Sequence, residues 1–260
     1  MANEYVRTKE FRDASFRYVD LNGATFRACD LVAVRIVGCE VDDLHIEAHA
    51  GELGSVIVEG IDVTGYVMAE LDRRFPERAE VREAQTVDAL RGALVRLGDL
   101  WTQTRTRAEQ LPESERAHRV DGEWSFIETL RHLVFAVDVW MGRMLPDVPE
   151  PFQAIGLPPG EHPDEDLDQL GIDRTATPSY AEVSSLFDEQ LSRTRHSLDA
   201  VGDDDLDRIR TAVPMPAWGE ESHSVRTCFR VVLNELCEHR RYAERDLAVL
   251  LPRSGQAGSE

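Results

Sequence analysis

Phe11, Phe16, Leu21, Phe26, Leu31, Ile36, Val41 and Ile46 fall every fifth residue without a gap. Two places before most of them stands a small or medium apolar residue: Ala14, Val19, Ala24, Cys29, Val34 and Cys39. A helix repeats near 3.6 residues and a strand every 2, so neither sustains a period of five. A repeat of this kind constrains the architecture before any other reading, because missing it misassigns the fold.

The motif resembles the pentapeptide-repeat family, in which a central Leu or Phe follows a small residue and an acidic or amide one. Asp20-Leu21 and Asp30-Leu31 carry that pattern best, and the later repeats keep only the apolar positions. The resemblance implies a right-handed quadrilateral β-helix over residues 5–65, with the central residues stacked inside and Cys29 and Cys39 at small inward positions. Eight repeats make only about two coils, and a stack that short needs a cap or a docking partner. Some long members of the family mimic DNA, but this segment is too short for that rod, so a scaffold or interface piece is expected.

The charge narrows the partners. The net charge is −20, with −7 carried through residue 80 and −13 beyond it. Neither part gains the counterion-release term of nucleic-acid binding, and both are repelled by anionic lipid. No run of 18 apolar residues is present and MANEYVRTKE lacks the apolar core of a secretory signal, so a cytoplasmic protein is expected. Four cysteines are too few for a disulfide scaffold at this length.

Residues 66–84 read as a short charged helix and connector. Beyond it come four helical patterns. Val87, Leu90, Leu94, Leu97, Leu100 and Trp101 sit three or four apart in a segment over 86–110. A second runs from Trp124 or Ser125, a candidate N-cap with Glu128 at the capping-box position, to Leu145 before Pro146. A third spans 179–201 and a fourth 224–250. Seven prolines and a run of acids make 146–178 a long structured loop that could cover a site. The pattern predicts an all-α four-helix bundle over 85–252, followed by a disordered tail at 253–260.

Bundle cores host metal sites built from facing helices. Glu235 and His239, four apart, share a helix face with Cβ atoms about 6 Å apart. An imidazole and a carboxylate so placed reach one divalent ion at about 2.0–2.2 Å each. His132, in mid-helix on the second pattern, would be the third ligand, leaving a fourth position open as catalytic zinc sites do. By itself the spacing is a weak signal, because such pairs also occur on solvated faces. Glu128 could accept the second ring proton of His132 or serve only as a capping-box residue. Tyr242 could point into the site or pack. Trp124 reads as a core anchor, Cys237 falls on another face, and the remaining histidines read as surface groups.

GEWSFIETLRHLVFAVDVW and VLNELCEHRRYAERDLAVL resemble the DinB-like superfamily of metal-binding four-helix bundles. That family commonly has a paired His where Glu235 stands. The departure matches the branch of mycothiol-dependent maleylpyruvate isomerases, whose zinc is held by His, Glu and His, and it implies His132, Glu235 and His239 as ligands. The resemblance further implies an enzyme whose zinc, or else Ni2+ or Fe2+, binds a small thiol such as mycothiol and presents the thiolate to an electrophile. A metal-stabilised binding or scaffold module, with the repeat segment as its surface, is the alternative. A homodimer is compatible with either.

Overall fold

The computed structural model describes residues 4–27, 29–48, 53–146, 152–160 and 162–257. The chain divides into two units, Met1–Leu44 and His45–Glu260.

In the first unit the sequence period returns as a backbone period. Asp13, Tyr18, Gly23, Ala33, Gly38 and Asp43 all take positive φ, each two residues after a central apolar residue. Ala14, Ala24 and Val34 donate their amides to the carbonyls of Phe11, Leu21 and Leu31, closing tight turns. The acidic residue before the central Leu has a local job: Asp20 accepts from the Asn22 amide and Asp30 from that of Val32. Among the described residues of this unit, however, no strand is present and no β-helix is shown. The central residues, Phe11 to Val41, are 41–63% exposed, where a closed coil would bury them. Cys29 and Cys39 are exposed as well, not inward. Two coils' worth of chain offers each side chain too few neighbours to bury it.

The second unit opens with a two-stranded hairpin, β1 (Ile57–Val58) and β2 (Ile61–Asp62). Two helices follow, α1 (Thr64–Arg74) and α2 (Glu77–Glu83), where one short helix and a connector were expected. α2 is no loose linker: Val81 and the adjacent Ala84 enter the core, and Glu77 and Arg78 are buried. Then come α3 (Val87–Ala108), α4 (Glu113–Arg116), α5 (Phe126–Val137), α6 (Asp164–Leu170), α7 (Tyr180–Asp199) and α8 (Val225–Ala257). An antiparallel hairpin that the sequence did not announce, β3 (Ile209–Ala212) with β4 (Glu221–Ser224), leads directly into α8. α8 continues past Pro252 into the stretch expected to be a disordered tail.

α3 packs on α7 and α8, and α5 packs on the same two, so the four long helices close a ring with α3 opposite α5. Their apolar stripes meet in one core that includes Leu94, Leu97 and Trp101 of α3, Leu130 and Leu133 of α5, Phe187 of α7, and Phe229 and Leu233 of α8. Each such side chain, fully buried, contributes about 1.5–3 kcal/mol.

Two features set the register of α5. Ser125 and Glu128 form the capping box that the sequence announced, each side chain bonding the other's amide. At Asp138 the helix widens into a π-helical segment, Asp138–Met144. A second cluster, Phe135, Val139, Leu167, Ile172 and Met215, packs Leu167 of α6 and the following Ile172 against α5 and the π-helical segment. Gly171, at φ 69°, ends α6 in the left-handed conformation that a side chain disfavours, which lets the Ile172 amide reach the Leu167 carbonyl.

Candidate metal centre

His132 lies two turns into α5, on the face turned toward α8. One turn separates Glu235 from His239 on α8, and both project toward it. The structure thus brings the three candidate ligands together: one donor atom from each lies within 4.8 Å of the others. Glu235 Oε2 is 3.1 Å from His132 Nε2 and 3.0 Å from His239 Nε2. The side chains are 6%, 24% and 17% exposed for His132, Glu235 and His239.

The proton inventory of this cluster is informative. His132 Nδ1 is 3.0 Å from the Leu157 carbonyl, which can only accept, so Nδ1 carries the proton and donates it. In a neutral ring Nε2 is then a bare lone pair pointed at a carboxylate oxygen. Two acceptors that close repel unless a cation lies between them, either a proton or a metal ion. Tetrahedral coordination at about 2.0–2.2 Å separates donors by a little over 3 Å, so the donor set and its spacing fit a divalent metal. Burial opposes ionisation of Glu235, but when a proton fills the gap the hydrogen bonds and positive charge of the His132 and His239 rings outweigh it and hold its carboxyl well below the usual range.

Aromatic rings wall the cluster. The Trp124 ring stacks on His239 at 5.8 Å and 22°, and its centroid is 4.7 Å from that of His132. Phe135 is 6.2 Å from the His132 ring, and Tyr242 meets His239 edge-on at 5.9 Å. Trp124 is half-buried and lies outside the core clusters, so it is not the core anchor expected; it sits against both imidazoles instead. Tyr242 packs beside the candidate ligand His239, with Arg241 and Arg245 over its own ring.

Glu128, the other residue considered for His132, is occupied elsewhere. Its carboxylate accepts from the Ser125 amide and from the Arg119 guanidinium, while the ring proton of His132 goes to Leu157. That carbonyl carries no sequence signal, because any residue offers one. Cys237 and Cys228 lie in the core outside the cluster, and burial pushes both thiols up to about 12. Among the other histidines, His162 bonds the Pro159 carbonyl and His223 bonds Glu221. Among the described residues no helix is long and apolar enough to cross a membrane.

A family model of the DinB superfamily matches residues 96–243. Neither a curated protein nor a solved structure matches the chain. The matched stretch contains all three converging side chains, together with Trp124 and Tyr242 beside them. By a match over more than half its length, the chain belongs to the DinB superfamily, whose members are metal-binding.

Proposed function

We propose that this chain is a divalent-metal-dependent thiol S-transferase or isomerase, with zinc held by His132, Glu235 and His239 and a low-molecular-weight thiol such as mycothiol as cosubstrate. One observation carries the reading: two imidazole nitrogens and one carboxylate oxygen converge within 4.8 Å between α5 and α8. A zinc ion there would supply Lewis acidity and lower the pKa of a thiol brought to its open position. The protein's own groups prepare that chemistry. Glu235 offsets only one of the ion's two charges, so the site stays net positive and favours an anionic sulfur over a neutral one. Trp124 and Phe135 cover the faces of the ligand rings and keep water from them, which strengthens every electrostatic interaction inside. The Leu157 carbonyl keeps His132 Nε2 free of a proton and available as a ligand. His and carboxylate ligands also suit Ni2+ and Fe2+, and a coloured or air-sensitive preparation would select those ions.

The test is metal content by plasma mass spectrometry on tag-free protein, wild type beside Glu235→Ala and His239→Ala. About one zinc per chain, lost in both variants, is expected. Zinc-loaded protein should then conjugate mycothiol to monochlorobimane faster than the His132→Ala control does. Wild-type protein that takes up no metal when zinc is offered would sink the reading.

A second reading draws on the first unit. Its row of exposed apolar residues, Phe11 to Val41, set on a five-residue turn rhythm, supports a role as an interaction surface. The metal would then only stabilise a binding module. Metal removal that melts the bundle, with no thiol conjugation in the loaded protein, would select it.

A further inference from the structure

Arg131 precedes His132 on α5 and is 5% exposed, yet its hydrogen-bond partners are main-chain carbonyls rather than a carboxylate. Its Nε donates to Ile155 at 2.7 Å and Nη1 to Ala176 at 2.7 Å. Nη2 donates to Asp173 at 3.2 Å and to Arg174 at 3.3 Å. Burying a guanidinium in this way is expensive, and nothing in the packing of α5 on the bundle core requires it.

What the four bonds achieve is a clip. They join two parts of the loop, 153–157 and 173–176, which are also tied together by the Asp173 amide on the Ala154 carbonyl. The Leu157 amide returns to the Arg131 carbonyl at 3.2 Å, and the Leu157 carbonyl meets His132 Nδ1 at 3.0 Å. Gly156 allows the approach, because a Cβ there would lie 3.1 Å from the Gln153 carbonyl oxygen and 3.4 Å from Phe135 Cβ. Residues 155–157 thus grip the consecutive pair Arg131 and His132 at three points.

We propose that Arg131 is a positioning residue of the metal centre: its guanidinium fixes the loop so that the Leu157 carbonyl holds His132 by Nδ1 and aims Nε2 at Glu235 and His239. The proposal rests on the reading of these three residues as metal ligands. Partners that orient a ligating histidine typically change metal affinity by about 10- to 100-fold when lost.

The test is zinc affinity, measured on metal-free protein by competition with a chromophoric chelator well below the unfolding midpoint. Wild type, Arg131→Met, Arg131→Lys and His132→Ala are compared. Arg131→Met should weaken zinc binding about 10- to 100-fold at unchanged far-UV circular dichroism. Arg131→Lys, which reaches fewer carbonyls, should fall between Met and wild type. In 15N-labelled zinc-loaded protein, the His132 Hδ1 proton should exchange with water faster in both Arg131 variants. A purely structural Arg131 would lower the unfolding midpoint and leave affinity and Hδ1 exchange unmoved. That result in Arg131→Met, or in Arg131→Lys if the Met variant does not fold, overturns the proposal. If instead His132→Ala binds zinc as wild type does, it is the ligand assignment itself that fails.

Discussion

Asp138 stands where α5 gives way to the π-helical segment, fully buried, with its carboxylate accepting from Gln190 and Arg193 of α7 and from the Gln153 amide. Burial outweighs these bonds and raises its pKa from the ordinary 3.8 to about 6. The folded state therefore holds a proton here that the unfolded state has already released between about pH 4 and 6. Stability from this group is complete below pH 4 and falls as pH rises toward 6, by about 2–3 kcal/mol. Asp138→Asn should remove that part of the pH dependence, so urea unfolding of the variant at pH 4.5 and 7 should differ less than in wild type. At this scale the sequence offered residue types without their neighbours. In the sequence Asp138 is one of two charged residues, with Arg143, in the apolar stretch Leu133–Leu145, and Trp124 reads as an anchor. Only the fold places a glutamine and an arginine of α7 around the first, and two imidazoles beneath the second.

The union of α2 with α8 is made by buried charge. Arg78 pairs with Glu238, their side chains 7% and 2% exposed, and Glu77 pairs with Arg240 at 2.9 Å. Such pairs add little net stability, but removing one partner leaves a buried charge uncompensated. Because Arg78 keeps Asp72 at 3.6 Å, Glu238→Ala should cost less than the roughly 3–5 kcal/mol of a fully uncompensated charge, and Glu238→Gln less again, read as a drop in thermal midpoint. Glu238 lies in the turn of α8 between the candidate ligands Glu235 and His239, so loss of this pair should also be compared with metal affinity. At this scale the four long helices were legible, because a 3.6-residue stripe is needed to bury one face and the caps at Ser125 and Ser179 use local chemistry. The hairpin β3–β4 was not. Its strands, IRTA against ESHS, are only four residues long and carry no sustained apolar alternation, and the pairing is completed by contact with the start of α8.

The molecule as a whole is two units whose sequences follow different rules. Removing residues 1–44 should leave the helical unit with its circular dichroism, unfolding midpoint and metal affinity intact, since the core and the candidate ligands belong to the second unit. A loss of more than about 1 kcal/mol, well above what a surface change produces, would show instead that the repeats stabilise the bundle. The sequence by itself determined the five-residue turn rhythm, the helical class of the remainder, and the Glu235–His239 pair. All three follow from short-range geometry: a turn every fifth residue, an apolar stripe, and an i,i+4 spacing. Tertiary structure alone decided that α5 and α8 are neighbours, that His132 meets Glu235 across 103 positions of chain, and that the Leu157 carbonyl meets the other nitrogen of its ring. Contacts so distant in sequence depend on how the whole core packs, and a main-chain carbonyl looks the same at every position until the fold gives it a partner.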